Sequence, residues 1–237
     1  MVSQLLFGEC FQVMEQTAMW CKIKIAHDGY ECWIGSKQFL PIAGTTFQSL
    51  KSEKTVCSFE LVQVICSAQS DLMLPILLGS TLPKWNGKTL DLENNSFTYE
   101  GLTNEKIIKN SRKAIVENAF LYLNAPYLWG GRSPFGIDCS GFTQLAFRLN
   151  GIALSRDAFQ QAEQGEALSF LEEAEEGDLA FFDNDEGRII HVGIILNDNK
   201  IIHASGKVRV DSLDHQGIYN AETKKYSHRL RILKRIF

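Results

Sequence analysis

The residue best suited to chemistry in this sequence is Cys139, which stands where a turn-rich loop runs into an apolar segment. Residues 126–138 contain two prolines and three glycines, which predict a loop, and the apolar spacing of residues 142–147 predicts a buried helix. A thiol in the first turn of a helix faces the positive end of the helix dipole, which favours the thiolate and lowers the thiol pKa. Cys139 is therefore a candidate nucleophile, and a small buried structural cysteine is the alternative.

Two histidines farther along the chain could serve such a nucleophile as base and as orienting group. His191 and His203 each interrupt an apolar run, and residues 197–199 (Asn-Asp-Asn) predict a hairpin between them. If Ile194 pairs with Lys200, His191 lies directly opposite His203 on one face of the sheet. A nucleophilic thiol needs a base and a third group that orients the base, so this register predicts a Cys–His–His arrangement. Two satisfied core histidines are the alternative.

We expect no metal site and no cofactor. Two histidines and one cysteine could bind zinc or copper, but the sequence contains neither a C-x-x-C nor an H-x-x-x-H motif. The other cysteines, at positions 10, 21, 32, 57 and 66, lie mostly in apolar strand-like runs and are predicted to be reduced, which favours the cytoplasm.

The elements around these residues predict an α+β fold for the second half of the chain. Apolar positions from 107 to 123 share one helical face, with Asn104 as the predicted cap, and Ser155 is predicted to cap a short helix from Arg156 to about Gly165. Strands are predicted at 178–182, 189–196, 200–204 and 229–233. Helices followed by an antiparallel sheet are typical of an α+β domain.

The first hundred residues are predicted to form short strands, at 12–14, 20–25, 31–34, 61–65, 75–80 and 88–92, with a hairpin turn at Asp28-Gly29. A net charge of -4 and the lack of a Lys/Arg cluster argue against a nucleic-acid partner. No apolar run is long enough to span a membrane, and the N-terminus does not resemble a signal peptide. We expect a cytoplasmic monomer, or alternatively an exported protein whose signal segment is absent from this chain.

Five motifs, in order along the chain, resemble the NlpC family of papain-like cysteine peptidases. They are Tyr127-x-Trp129-Gly-Gly, Asp138-Cys-Ser-Gly-Phe142, Gly177-Asp-Leu-x-Phe-Phe182, His191-Val-Gly-Ile194 and His203-Ala-Ser205. The resemblance covers residues 104–237 and implies a papain-like domain with helices packed on an antiparallel sheet. It also implies Cys139 as nucleophile, His191 as general base and His203 as the residue that orients the base. The family cleaves amide bonds in bacterial cell-wall peptides, typically after γ-linked D-glutamate.

The same resemblance implies a substrate pocket around the nucleophile. Tyr127 would bind substrate or the developing oxyanion, with Trp129 beside it. The residues that would shape the D-glutamyl pocket are Asp138, Ser140, Ser155, Arg156 and Asp157. A γ-linked D-glutamate carries a free α-carboxylate, which needs arginine, hydroxyl or backbone N–H donors. Asp138 could otherwise be a plain helix cap, and Arg156 and Asp157 an exposed pair.

The N-terminal residues Gly8-Glu9, Trp20 and Asp28-Gly-Tyr-Glu-Cys-Trp-Ile34 resemble a bacterial SH3-like domain, with Cys32 where that family has glycine. Residues 78–83 resemble one corner of a second, divergent SH3-like barrel. The implied organisation is an SH3-like domain at 1–43, a second small β domain with linker at 44–103, and a peptidase domain at 104–237.

Some members of this family are exported wall hydrolases whose SH3-like domains attach to the wall. The chain more closely resembles other members, in which an acidic residue and a tyrosine of the first SH3-like domain bind the free amine of an N-terminal L-alanine. Glu9 and Tyr30 are the candidates here; an exposed turn glutamate and a barrel-core tyrosine are the alternatives. The resemblance thus implies a dipeptidyl-peptidase that cuts murein-derived peptides between γ-D-glutamate and L-lysine or diaminopimelate. An exported endopeptidase acting on intact peptidoglycan, or a non-catalytic wall-binding protein, are the alternative functions.

Overall fold

The chain folds as two units, residues 2–108 and residues 109–237. The computed structural model describes residues 1–106 and 111–236. No helix among these residues is long and apolar enough to cross a membrane. The three-domain organisation, with boundaries after residues 43 and 103, stays a prediction.

Most of the regular secondary structure in the N-terminal unit is β-strand. Its elements are β1 (Phe11–Gln16), β2 (Trp20–Ile25), β3 (Glu31–Gly35), α1 (Gly44–Ser52), β4 (Val62–Ser67), β5 (Met73–Leu77), β6 (Thr89–Leu92) and β7 (Asn95–Thr98). They form two antiparallel sheets, in the orders β1-β2-β3 and β5-β4-β7-β6. Alternation explains the burial in β2, where Cys21, Ile23 and Ile25 point into a core. The sequence did not predict α1, because this helix buries none of its residues and has no apolar stripe.

The C-terminal unit combines helices with an antiparallel sheet, as the sequence predicts. Its elements are α2 (Arg112–Phe120), β8 (Arg132–Ser133), β9 (Gly136–Ile137), α3 (Cys139–Arg148), α4 (Ala158–Gln161), β10 (Glu166–Leu168), β11 (Leu179–Asp183), β12 (Ile189–Leu196), β13 (Lys200–Ser205), β14 (Lys207–Asp214), β15 (Gly217–Asn220) and β16 (Lys225–Arg235). The strands from β10 onwards form one sheet in the order β10-β16-β11-β12-β13-β14-β15.

This sheet closes on itself, because β15 also pairs with β16. The residues inside the closed sheet form an apolar cluster of Ala180, Phe182, Ile195, Ile201, Leu213, Ile218 and Leu233. Residues that pair across neighbouring strands point to the same side. His191 pairs with Phe182, and His203 follows Ile201 by two positions, so both histidines point inside.

The helices pack against the outside of the closed sheet. Helix α3 contacts β12 and β13, where Val192 and Ile194 are fully buried, and α2 packs on α3. Asn118 of α2 fixes this pair of helices by donating its side-chain amide to the Ala146 carbonyl at 3.1 Å. The packing places the first residue of α3, Cys139, beside β12.

The predicted cap at Asn104 is wrong. The Asn104 side-chain oxygen accepts the N–H of Cys57 at 2.8 Å within the N-terminal unit. Helix α2 is capped by Ser111, whose hydroxyl accepts the N–H of Ala114 at 3.2 Å. The predicted helical residues 107–110 lie outside the described residues.

The predicted register between β12 and β13 is displaced by two residues. Leu196 pairs with Lys200 and Gly193 pairs with His203, so His191 lies diagonal to His203 and not opposite it. The turn is tighter than predicted because Asp198 and Asn199 adopt the left-handed conformation, at φ 57° and 54°. Because side chains alternate with a period of two, a displacement of two residues still leaves His191 and His203 on the same face of the sheet, as the sequence predicts.

Candidate active site

The loop before Cys139 is organised by the carboxylate of Asp138. As the N-cap of α3, Asp138 accepts the N–H of Gly141 at 2.7 Å, and it also accepts the N–H of Gly130 at 2.8 Å. The glycines allow a tight loop: a Cβ on Gly131 would lie 2.4 Å from the Gly136 carbonyl oxygen. The cap role that the sequence left open for Asp138 is thus present.

Asp138 also forms a buried ion pair with Arg156. The guanidinium donates to both carboxylate oxygens, at 3.0 and 2.7 Å, and to the Ser140 hydroxyl at 3.0 Å. Only 1% of Arg156 is exposed, so it is not the exposed residue that one sequence alternative describes. The pair fixes the segment around residue 156 to the start of the nucleophile helix.

A buried glutamine connects the same two segments through backbone groups. Gln161 of α4 donates to the Ser140 carbonyl at 3.0 Å and to the Ser155 carbonyl at 2.8 Å. The predicted helix start at Ser155 is wrong, since α4 begins at Ala158 with Asp157 as its N-cap residue. Asp157 donates its N–H to the Gln160 side chain at 3.1 Å. The residues predicted to shape the D-glutamyl pocket therefore lie together around the start of α3.

Cys139 is buried at the first position of α3. The backbone N–H groups of Val192 and Ser140 hydrogen-bond to its sulfur. The bond from Val192, the residue after His191, places the thiol beside β12. Burial, followed by the charge of Asp138, raises the pKa of the thiol to about 12. The sequence-based expectation that the helix dipole lowers the pKa of the Cys139 thiol is therefore wrong. Loss of solvation raises this pKa by more than the N–H groups and the charge of Arg156 lower it.

The two predicted histidines are hydrogen-bonded to each other inside the closed sheet. His191 Nε2 lies 2.8 Å from His203 Nδ1, and both side chains are buried. The ring of His203 has room because Gly193, which pairs with it, has no side chain. Burial, followed by the nearby His228 and His203, lowers the pKa of His191 well below its ordinary value. His191 is therefore a neutral imidazole at pH 7.

A third histidine, which the sequence patterns do not single out, lies at the site. His228 of β16 stacks on His191, with ring centroids 4.0 Å apart and planes inclined by 20°. Burial, followed by His203, lowers the pKa of His228 to about 4. A histidine in the terminal strand was overlooked because the sequence gives no sign that β16 closes the sheet beside β11.

An acidic residue that the sequence patterns do not single out lies behind His203. Asp211 of β14 places a carboxylate oxygen 3.1 Å from His203 Nε2, and the side chain of Arg209 binds the same carboxylate at 2.8 Å. The signal that could have found them is an arginine and an aspartate two positions apart, hence on one face of a strand.

The three histidines could be considered as metal ligands, because their ring nitrogens lie within 4.8 Å of one another. The observed geometry opposes this. A metal must lie in the plane of each imidazole about 2.0–2.1 Å from its nitrogen. The nearly parallel rings of His191 and His228 share no such point, and the 2.8 Å separation of His191 from His203 is a hydrogen bond.

Tyr127 and Trp129 lie in the loop before α3. Tyr127 donates its N–H to the Gly206 carbonyl at 2.9 Å, next to the end of β13. Burial, followed by the charges of Cys139 and Asp138, raises the pKa of Tyr127 to about 12, so its hydroxyl keeps its proton. The Trp129 side chain is largely exposed.

Glu9 and Tyr30 belong to the N-terminal unit. The Glu9 carboxylate accepts the N–H of Leu6 at 2.9 Å and lies 3.8 Å from His27 Nε2. The Tyr30 ring packs against the core of the β1-β2-β3 sheet, as the sequence alternative describes. Their part in substrate binding stays a prediction.

Two family models match this chain. Residues 124–227 match the NlpC/P60 family, and residues 1–39 match a family described as the bacterial dipeptidyl-peptidase Sh3 domain. The first match includes Cys139, His191 and His203.

Relatives with known names are similar over most of the chain. A γ-D-glutamyl-L-lysine dipeptidyl-peptidase of Bacillus cereus is 27% identical, over 85% of this chain and 66% of its own length. A protein of the same name from Bacillus subtilis is 26% identical, over 85% of this chain and 71% of its own length. The chain thus spans about two thirds of the length of these relatives. A solved NlpC/P60 family structure from Bacillus cereus shares the fold, with a TM-score of 0.81 over 99% of this chain and 82% of its own, at 23% identity.

Proposed function

Because the chain carries an NlpC/P60 domain together with a bacterial SH3 domain, we propose that it is a cysteine peptidase acting on murein-derived peptides. The bond cleaved is the amide between γ-D-glutamate and L-lysine or diaminopimelate, in peptides with a free N-terminal L-alanine. The observation that carries the proposal is the buried Cys139 beside β12 with the hydrogen-bonded pair of His191 and His203. The papain-like character of the fold belongs to the same proposal.

The resting site holds a neutral thiol and a neutral imidazole, because burial raises the pKa of Cys139 and lowers that of His191. The thiol proton therefore moves to His191 as the sulfur attacks the γ-carbonyl carbon. The imidazolium then protonates the leaving amine, and a thioester of the γ-D-glutamyl group remains on Cys139. Water, deprotonated by His191, hydrolyses the thioester and restores the thiol.

The oxyanion of each tetrahedral intermediate is stabilised at the start of α3. Within the first turn, Asp138 accepts the N–H of Gly141, and the N–H of Ser140 bonds to the Cys139 sulfur in the resting site. The N–H groups of Cys139 and Ser140 are the proposed oxyanion donors, and that of Ser140 exchanges the sulfur for the oxyanion during reaction. The protonated hydroxyl of Tyr127 adds a donor on the other side of the loop. Each such donor acts on charge that develops only during reaction.

The D-glutamyl α-carboxylate is bound near the Asp138–Arg156 pair. Arg156 itself is committed to Asp138 and Ser140, so its role is to fix these groups and to offset the Asp138 charge. Ser140, Ser155 and Asp157 complete this side of the pocket, and Trp129 offers an exposed aromatic face. In the N-terminal unit, Glu9 and Tyr30 select the free amine of L-alanine, since a carboxylate is the natural partner of an ammonium group.

Free murein peptides of this kind fit peptide recycling by a cytoplasmic enzyme without a cofactor. An exported enzyme is the alternative, and cell fractionation separates the two. A monomer needs no second chain for this chemistry, and sedimentation measures the oligomeric state directly.

The decisive test uses the synthetic tripeptide L-Ala-γ-D-Glu-L-Lys with mass spectrometry of the products. The protein should release L-Ala-γ-D-Glu and L-lysine, and Cys139→Ala should lower kcat by at least about 10³-fold, because no other group can form the thioester. Cys66→Ala, which removes a half-buried thiol of the N-terminal unit, is the matched control and should keep full activity. Full activity of Cys139→Ala would refute the proposal.

The same assay with N-acetylated tripeptide tests the free-amine requirement. Acetylation removes the positive charge, so kcat/KM should fall by at least about 100-fold while Cys139→Ala remains inactive on both peptides. Efficient cleavage of the blocked peptide would favour the endopeptidase of intact wall. Absence of cleavage of either peptide, with binding to isolated wall, would favour the non-catalytic binding protein.

A further inference from the structure

His203 is held between two partners, one on each ring nitrogen. Its Nδ1 lies 2.8 Å from His191 Nε2, and its Nε2 lies 3.1 Å from a carboxylate oxygen of Asp211. His203 is 1% exposed and Asp211 is 6% exposed, so water does not compete for these bonds. The site thus continues beyond His203 to a fourth group.

Asp211 is held in its ionised form by Arg209. The guanidinium contacts both carboxylate oxygens, with Nε 2.8 Å from Oδ2 and Nη2 3.0 Å from Oδ1. Burial alone would raise the pKa of Asp211, but the hydrogen bonds from His203 and Arg209 lower it below the ordinary value. An ionised carboxylate has no proton and can only accept hydrogen bonds.

The ionised Asp211 determines which ring nitrogen carries the proton in His203 and then in His191. His203 donates to Asp211 from Nε2, and a ring that carries only this one proton has an acceptor at Nδ1. His191 must then donate from Nε2, which leaves its Nδ1 with a free electron pair. In the opposite arrangement His191 would carry its proton on Nδ1 and could not take one there.

We propose that Asp211 is a positioning residue that sets the tautomer of His191 through His203, leaving His191 Nδ1 free to accept the Cys139 proton. The proposal rests on the proposed peptidase function for its kinetic consequence, but the tautomer itself is a property of the protein without substrate. The carboxylate touches neither substrate nor thiol and acts only through the two imidazoles.

Asp211→Asn tests this with little change of shape. Arg209 Nη2 donates to Oδ1 in the native protein, so the amide oxygen of the new side chain keeps that bond, and the NH₂ group takes the Oδ2 position, which faces His203 Nε2. His203 then carries its proton on Nδ1, and His191 is forced into the wrong tautomer. We expect kcat on the tripeptide to fall by at least about 100-fold with KM changed less than about threefold.

Nitrogen-15 NMR of histidine-labelled protein reads the tautomers directly. The wild-type protein should show His191 protonated on Nε2, and Asp211→Asn should show it protonated on Nδ1. The rate of alkylation of Cys139 by iodoacetamide, followed by peptide mass spectrometry, should fall in the variant because its base is misoriented. Both measurements need no substrate, so they remain informative if the peptide is not cleaved.

Asp214→Asn is the matched control, since it removes the same charge from the same strand. Asp214 accepts from the Tyr226 hydroxyl at 2.5 Å, and among the described residues it has no hydrogen bond or ion pair with His191, His203 or His228. It should leave the tautomers, the alkylation rate and kcat unchanged. A wild-type His191 protonated on Nδ1, or an Asp211→Asn protein with unchanged tautomers, would overturn the proposal. So would equal losses of activity in both variants, which would indicate a merely structural role.

Discussion

At the scale of single residues, the site depends on a residue with no side chain. Gly193 pairs with His203, and a Cβ at this position would lie 2.9 Å from His203 Cβ and 2.7 Å from Ile201 Cδ1. Neither neighbour can move freely, since both lie inside the closed sheet. The diagonal bond from His203 to His191 therefore requires glycine here.

Gly193→Ala should displace His203 and lengthen its bond to His191. We expect kcat/KM on the tripeptide to fall by at least about 10-fold and the free energy of unfolding by about 1–3 kcal/mol, as for other overpacked cores. Enzyme kinetics and urea unfolding measure the two effects. Gly44→Ala is the control, because a Cβ there meets nothing within 4 Å, and it should change neither quantity. Unchanged kinetics in Gly193→Ala would show that activity does not require the observed hydrogen bond between His203 and His191.

Residue types predicted part of this site and not the rest. Cys139, His191 and His203 stood out because a thiol began a helix and each histidine interrupted an apolar run. Asp211 and His228 did not, because charged and polar residues alternate with apolar ones in β14 and β16, as they do in many solvated strands. Only the pairing of distant strands brings them to the same place.

At the scale of elements, α3 starts where it does because one ion pair fixes the loop before it. Asp138 caps α3 and binds Arg156, whose own segment is attached to the helix by Gln161. The sequence predicted the helix and its cap residue. The sequence could not predict that Asp138 and Arg156 pair in the interior, because this contact depends on the path that residues 149–157 take from the end of α3 back to its start.

Arg156→Met should lower the free energy of unfolding by about 3–5 kcal/mol, because Asp138 then remains buried without its partner. The double variant Asp138→Asn/Arg156→Met should recover part of this loss, since no unpaired charge is left. Urea unfolding measures both.

Arg231→Met provides the comparison for that experiment. Arg231 contacts Asp183 at 3.7 Å but is largely exposed, so its loss should cost at most about 1 kcal/mol. A double variant less stable than Arg156→Met alone would contradict the assigned role of the pair.

At the scale of the whole molecule, two neutral histidines, the buried His191 and the partly buried His228, make stability depend on pH. The pKa of His228 is lowered to about 4 and that of His191 lies well below its ordinary value, whereas both take up protons near pH 6.5 in the unfolded chain. As the pH falls from 6.5 toward 4, the unfolded state binds protons that the native state does not, so stability decreases.

The free energy of unfolding should therefore fall between pH 6.5 and pH 5, with His228 contributing up to on the order of 3 kcal/mol once the pH reaches about 4. Urea unfolding at several pH values measures this slope, and His228→Gln should reduce it. His215→Gln, at an exposed position, is the control and should leave the slope unchanged. A wild-type stability that rises as the pH falls through this range would contradict the linkage.

The closure of the sheet by β16 has a consequence for the order in which the protein is made. β16 is the last strand of the sheet to leave the ribosome, yet it pairs with β10, β11 and β15, and it supplies the ring that stacks on His191. A nascent chain that has not yet reached β16 exposes the edges of β11 and β15 and lacks the complete histidine cluster. Such a chain has Cys139 but not the finished site, so on the proposed function we expect peptide cleavage only after synthesis through β16 is complete.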